Sequence, residues 1–586
     1  MKKTSRASHV ATIRRRHGDR VYKTHLLRRT YRESGKVKHE TLANLSHLPD
    51  RTIEVIRSSL RGEELVATTD FVTPVRTLPH GHVAAVVGTL RNCGLESALA
   101  SRPSRERSLV VAMIAARLIS PGSKLATSRE LHFETNSSTL GEFLGVESVS
   151  ESELYAALDW LLSRQNRIEA KLAKKHLSEG SLVLYDVSGS YYTGSHCPIA
   201  KFGYSRDKRS DLPQITYGLL CDRRGCPVGV EVFEGNVGDP STLKVQIEKV
   251  RQRFGIQQVV FVSDRGLITQ ARIREELAPI EGLEWITALR APAIKKLASE
   301  GNIQLTLFDQ RDLAELTSED FPGERLVACR NPLLADERAR KREALLTATE
   351  KKLEKIAEAT RREKRRLRGA GKIGVRVGKV VARSKVTKHF LIEITDEGFS
   401  YRRNEEKIAA EAALDGIYIL RTSLSADEMP AEETVRTYKS LSKVERAFRC
   451  LKTTDLHIRP IYHRLEDRVR AHVFLCVLAY YVEWHMRRAL APILFEDHDH
   501  AAAEQLRESI VAPAKRSPAA LRKAAKKRTD DDLAVHSFST LMRDMATLTR
   551  VRYRVESPDG RNEFDRLTEA TPVQRRAFDL LEIRLK

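Results

Sequence analysis

Two short apolar runs, VLYDVS at 183–188 and VVFVSDRG at 259–266, carry β-branched and aromatic residues up to an aspartate, Asp186 in one and Asp264 in the other. A strand that takes an ionised carboxylate toward an apolar core is tolerated only where a partner, a metal or water meets the charge. The neighbouring sequence repeats the strand pattern. SLVLYDV, QITYGLLC, PVGVEVF and QQVVFVSD are short β-type runs, the second and third joined by the turn DRRGC, with helical periodicity in PSTLKVQIEKVRQRF and ITQARIREELAPI and a further strand in LEWITALR. This order predicts a mixed α/β sheet. The ends of neighbouring strands in such a sheet form the crevice where ligands sit, so Asp186 and Asp264 are expected to converge. The first strand is expected to end on Asp186, broken by Ser188 and Gly189.

The flanks read differently. Residues 1–80 hold alternating basic, aromatic and apolar positions in VYKTHLLRRTYRESGKVKHETLANLS, a basic β-hairpin turning at ESGK and leading into a helix. Helical periodicity dominates 81–180, as in ERSLVVAMIAARLIS and ELYAALDWLLSRQNRIEAKLAKKH. The sheet occupies 181–291, an irregular insertion 292–413, and the chain returns to strand and helix over 414–490 with DGIYILRTS and AEETVRTYKSLSKVERAFRCLKT. Residues 491–586 are expected to be helical and basic. Within the insertion, RREKRRLRGAGK carries almost no acid, and such a run either is solvated or lies on a phosphate backbone.

The formal charge is +23, from 101 Lys and Arg against 78 Asp and Glu over 586 residues. A polyanion is the partner this balance favours, nucleic acid before membrane. Seven cysteines without paired CxxC spacing exclude a disulfide framework and a zinc ribbon. Cys221 and Cys226 stand close only because they flank a turn. The start MKKTSRASHVATIRRR has no apolar core behind it, and AHVFLCVLAYYV at 471–482 is too short to span a bilayer, so a cytoplasmic, nucleoid-associated protein is expected.

A third carboxylate joins the two aspartates. In YKSLSKVERAFRCLK, Tyr438, Glu445 and Lys452 recur every seven residues, with Arg449 four after Glu445, and on one continuous helix they share a face. Alone, that face reads as exposed and salt-bridged. With Asp186 and Asp264 it completes an oxygen-donor set for two divalent ions, Mg²⁺ or Mn²⁺, of the kind that serves in-line phosphoryl transfer.

YDVSGSYYTG, GNVGDPSTL, VSDRGLIT and YKSLSKVERAFRCLK, in that order, resemble the signature blocks of the DDE transposases of bacterial insertion sequences, the IS4-like group and its IS1634-like branch. The resemblance implies an RNase H-like core interrupted by an insertion domain, with Asp186, Asp264 and Glu445 as the metal-binding catalytic triad. It further implies that Tyr438 and Lys452 contact transposon-end phosphates. Leu441 stands where the family has an arginine, and Arg449 is the replacement favoured by facing. The implied reaction is hydrolysis at the terminal inverted repeats followed by strand transfer, with a dimer in the synaptic complex and the segment 1–180 holding the DNA end.

Other signals have plainer readings. Asp239 in EGNVGD reads as a helix cap, EDHDH at 496–500 as a solvated acidic loop, and Ser188 and Ser190 lack an assignable base. An aspartyl-phosphate phosphatase wants a second acid where Ser188 stands. A catalytically silent, DNA-binding descendant of a transposase is the alternative.

Overall fold

A computed structural model describes residues 7–585 except 18–19, 34, 64–71, 302–307, 309–311, 508, 513 and 558–559. It divides into two compact units, residues 1–78 with 549–568, and residues 79–548 with 569–586.

The first unit opens with β1 (Ala7–His17), β2 (Arg20–Glu33) and β3 (Lys36–Asn44) in an antiparallel sheet of that order. The expected hairpin is therefore its second half: β1 adds a strand, pairing from Ala7↔Thr30 to His17↔Arg20. Helix α1 (Asp50–Leu60) follows and buries Ile53. Strand β4 (Val72–Pro79) lies in a stretch that carries two prolines, which fits its place at a sheet edge where a missing N–H costs nothing.

The helical layer of the second unit includes α2 (Arg105–Ile119), α3 (Glu151–Ser163) and α4 (Gln165–His176). Ser150 and Glu153 close a capping box at the start of α3, which fixes where that helix begins. The sheet strands then come in sequence: β5 (Ser181–Tyr191), β6 (Gln214–Asp222), β7 (Pro227–Glu234), β8 (Val259–Val262), β9 (Leu283–Ala288), β10 (Leu313–Leu316) and β11 (Arg325–Arg330). An excursion holds α5 (Pro332–Arg361), α6 (Ala370–Val381) and the hairpin β12 (Phe390–Ile394) with β13 (Phe399–Arg403). Strand β14 (Ile417–Thr422) returns to the sheet, whose order is β10-β11-β14-β9-β8-β5-β6-β7.

The pairs β5·β8 and β8·β9 are parallel and the rest antiparallel. Both sheet faces are covered. Leu184, Val260 and Val262 face one apolar layer, Val183, Tyr185 and Phe261 the other, which is why these runs are apolar at every position. The sheet reaches into the stretch expected to be insertion, because β10 and β11 extend it through β14. The excursion proper leaves and returns at one point, where Asn331 N–H donates to Gly416 C=O at 2.9 Å, and it packs its own core around Leu353, Ile356, Ile373 and Phe390.

Helices α7 (Ala431–Lys439), α8 (Ser442–Arg449) and α9 (Glu466–Leu490) follow in the same unit. The apolar AHVFLCVLAYYV lies inside α9, packed against α2, α3 and β7. No single helix among the described residues is long and apolar enough to cross a membrane. The expected helical C-terminal region holds in the helices His500–Gln505, Pro518–Lys526, Phe538–Ala546 and Pro572–Leu580 and is corrected over 549–567, where β15 (Thr549–Ser557) and β16 (Gly560–Leu567) form a hairpin that pairs with β4. TRVRYRVES alternates at period two and precedes a PDG turn, so the strand signal is local.

Burial sets a pH limit on the second unit. His82 and His463 are each pushed down to about 4, His82 by burial and His80, His463 by burial and then Lys124 and Arg117; burial holds His472 well below its ordinary value too. The unfolded chain takes up these protons near pH 6.5 and the native one does not. Stability is therefore full above about pH 6.5 and falls as pH drops toward 4. Urea midpoints at pH 7 and pH 5 are expected to show it; equal midpoints would contradict it.

Candidate active site

β5 and β8 run parallel in the register Ser181↔Val259 to Leu184↔Val262, where β8 stops. Asp186 and Asp264 each lie two residues beyond the last paired residues, Asp186 on the continuing strand and Asp264 on the turn that leaves β8. Ser263 Oγ donates to Tyr185 C=O at 2.7 Å and ties the chains together at this point.

The expectation that β5 ends on Asp186 is corrected. β5 continues to Tyr191, held by β6 alone from Asp186↔Leu219 to Tyr191↔Gln214. Gly189 is accommodated because a Cβ there would meet Ile215 C=O at 3.2 Å, and Ser190 hydrogen bonds Tyr217 Oη at 2.9 Å. Asp186 thus sits at the end of its neighbour, where the departure of β8 opens one side of a buried strand.

Asp264 is exposed on the turn after β8, and its Oδ1 accepts the N–H groups of Gly266 and Leu267, both at 2.9 Å. Glu445 lies exposed in the first turn of α8, whose other side buries Val444, Ala447 and Phe448, with the Phe448 ring 5.9 Å from that of Tyr217. The amphipathic helix therefore anchors on the sheet and leaves Glu445 outward.

These groups feel one another. Asp186 is pushed up to about 7, first by burial and then by Asp264 and Glu445, with the Val187 N–H and Arg206 opposing. Tyr438 is pushed up to about 12 by burial and by Asp264, Glu445 and Asp186, against Arg265. Tyr438 and the three carboxylates share one cleft. The acids' oxygens do not all lie within 4.8 Å of one another.

The single helical face is corrected. α7 stops at Lys439, α8 starts at Ser442, and Cys450–Thr454 forms a wider turn. The side chains of Ser440 and Ser442 bond back to Thr437 C=O and Lys439 C=O at 2.6 and 2.9 Å, the competition with helical bonding expected of serines. Tyr438 and Glu445 reach the cleft from different helices. Lys452 turns onto Asp207 at 3.5 Å, whose other oxygen holds Arg459 at 2.7 Å. Arg449 is exposed and makes no ion pair among the described residues, whereas Arg446 is bound to Glu496.

Arg206, Asp207 and Arg459 escaped sequence reading. The signal was the charged run SRDKR at 205–209 in the loop between β5 and β6, with Arg206 on Asp239 at 2.5 Å. Asp239 stands in the first turn of a short 3₁₀ helix, engaged by that arginine. The EDHDH segment is structural: Asp497 accepts from Ser517 N and Oγ at 2.7 Å each, and Asp499 caps the helix His500–Gln505.

Carboxylates on a strand, on the turn after its parallel neighbour and on a nearby helix, where burial first and then Asp264 and Glu445 raise Asp186, are a donor set that fits divalent cations. Such a site belongs to the class of metal-dependent phosphoryl-transfer enzymes. The family model described as "Transposase DDE domain" matches residues 179–482, and that described as "IS1634 family transposase, N-terminal domain" matches residues 10–70. The chain belongs to the DDE transposases and is of the IS1634 type, an insertion-sequence transposase that cuts DNA and transfers strands in a metal-dependent reaction. A comparison with curated proteins returns no match. Among solved structures, the chain is similar to a piggyBac transposase in a synaptic complex with hairpin DNA, at 9% identity and a TM-score of 0.32, covering 79% of this chain and 86% of that one.

Proposed function

We propose that Asp186, Asp264 and Glu445 are the catalytic triad of this transposase and hold two divalent ions, Mg²⁺ with Mn²⁺ as substitute, in an RNase H-like core of the IS4-like group. The observation that carries this is the position of Asp186 and Asp264 two residues beyond the last paired residues of the parallel strands β5 and β8, together with the effect of both Asp264 and Glu445 on Asp186. Bound there, divalent ions supply charge neutralisation at the reacting phosphodiester. The chain's own residues do the rest: Asp186 is fixed by the Val187 N–H at 2.8 Å, and Asp264 by its turn, so both present oxygens without reorganising.

Tyr438, Arg449 and Lys452 contact DNA phosphates. The exposure of Arg449 supports its role. The Asp207 pairing holds Lys452 and Arg459 side by side at the site's rim. Phe202 and Tyr204, 67% and 80% exposed beside Arg206, offer faces on which unpaired bases stack. The basic sheet β1–β3 binds the terminal inverted repeat, supported by its match to an IS1634 N-terminal domain and by exposed Arg14, Arg15, Arg16, Lys36 and Lys38. Two copies act together, because strand transfer joins two ends to one target, in the cytoplasm where the bacterial nucleoid lies.

Binding to the element's end is expected to fall steeply with salt, with a log–log slope of about −0.9 per phosphate neutralised. Arg449→Ala weakens binding and flattens that slope by about 0.9. An unchanged slope would remove Arg449 from the interface.

A further inference from the structure

Two groups of His, Cys, Asp and Glu among the described residues bring their ligand atoms within 4.8 Å of one another, and neither belongs to the carboxylate cleft. In the first, Cys450, Asp455 and Glu483, a cation is already in place: Arg487 reaches Glu483 Oε1 at 2.5 Å and Asp455 Oδ2 at 2.7 Å. In the second, His176, Cys226 and His485, Arg224 Nη2 reaches His176 Nδ1 at 3.1 Å and not the Nε2 that faces Cys226.

It is assembled from three elements. His176 is the last residue of α4, Cys226 follows the turn between β6 and β7, and His485 lies on α9. Cys226 is fully buried, with its Sγ 3.8 Å from His176 Nε2. The Nε2 of His485 is buried without a hydrogen-bond partner. Zn–N bonds near 2.0 Å and a Zn–S bond near 2.3 Å put tetrahedral sulfur and nitrogen ligands about 3.6 Å apart, close to the spacing observed. Tyr481 Oη lies 2.9 Å from the same His176 Nε2.

We infer that His176, Cys226 and His485 form a second metal site, specific for a thiolate- and imidazole-preferring divalent ion such as Zn²⁺, that clips α4 and α9 to the β6–β7 turn. Soft and nitrogen donors separate it from the oxygen-only cleft, so the two sites select different ions.

Loading has a definite proton balance. Arg224 Nη2 lies 3.1 Å from His176 Nδ1, and a guanidinium only donates, so Nδ1 accepts and Nε2 bears the proton. Metal binding at Nε2 would move that proton to Nδ1, with Arg224 Nη2 giving up its bond there and keeping its contact with Asp222 Oδ2 at 2.8 Å; Nδ1 faces the same Oδ2 at 3.8 Å, and the Cys226 thiol would release its proton to solvent. Arg224 stays attached to Asp222 through Nε at 2.8 Å.

The test uses the full chain titrated with Co²⁺ as the probe. One equivalent is expected to give a thiolate-to-cobalt charge-transfer band, displaced by Zn²⁺. The band should vanish in Cys226→Ala and His485→Gln and persist in Cys221→Ala and in Asp186→Asn, which leaves this site untouched while altering the cleft. Absence of the band in the wild-type protein would overturn the site, as would its persistence in a folded Cys226→Ala. Since the band reports sulfur, a failure here is distinct from a failure of the carboxylate assignment.

Discussion

Glu445→Gln is expected to bind the element's end as tightly as the wild-type protein and to cut it at least on the order of a thousandfold more slowly, the loss of several kcal/mol of transition-state stabilisation. The substitution keeps size and hydrogen-bonding capacity but deletes a negative charge. Glu445 is exposed in the first turn of α8 while Val444, Ala447 and Phe448 carry the packing, so the fold has no stake in its carboxylate. Asp186→Asn should lose cleavage equally, with a second signature. Removing a charge from the cleft relieves the repulsion that Asp264 and Glu445 exert there, so the variant should be no less stable than wild type. Full cleavage by Glu445→Gln, measured on an end-labelled duplex, would contradict its place in the triad. Tight binding with no cleavage by the wild type would instead mark a silent, DNA-binding descendant.

Lys249→Ala should cost about 3–5 kcal/mol of stability, the penalty for stranding a buried charge. Lys249 and Glu169 are both completely buried and 3.0 Å apart, Glu231 Oε2 approaches the same ammonium at 3.0 Å, and Val230 C=O accepts from it at 2.8 Å. Glu169 in turn accepts from Val230 N–H at 2.9 Å, so one lysine stitches α4 to β7 from beneath the sheet. Without it the Glu169 carboxylate remains, enclosed and uncompensated. Adding Glu169→Gln to Lys249→Ala should recover part of the loss, because an amide keeps the Val230 bond without the charge. Urea unfolding of the single and double variants measures both; a loss below about 1 kcal/mol for Lys249→Ala would show the triad to be replaceable.

What was legible in the sequence was what local pattern encodes. Apolar runs reaching Asp186 and Asp264 announced adjacent strands and a shared crevice, and both strands are where the runs place them. The extent of β5 was not legible, because the chain beyond Asp186 is held by pairing with β6, thirty residues on, and Ser188 and Gly189 are breakers only where no partner strand exists. The seven-residue spacing of Tyr438, Glu445 and Lys452 assumed one continuous helix, and the structure divides it between α7, α8 and the wider turn Cys450–Thr454. Ser440 and Ser442 interrupt the helix, and a periodicity count does not weigh side chains that bond to the backbone. The extension of the sheet by β10 and β11 rests on pairing with β14 across nearly a hundred residues, and no window of sequence contains it. The hairpin of β15 and β16 was different: its alternation and turn were present, masked by the abundance of arginine.

The most direct measurement of the central claim is localised protein cleavage by bound iron. Fe²⁺ with ascorbate, added to the full chain in complex with its transposon end, cuts the backbone beside the residues that hold the ion. Cuts near Asp186, Asp264 and Glu445, suppressed by Mg²⁺ and lost in Glu445→Gln, are the predicted result. Cuts that avoid this cleft, or that are indifferent to Mg²⁺, would contradict the assignment of these three carboxylates.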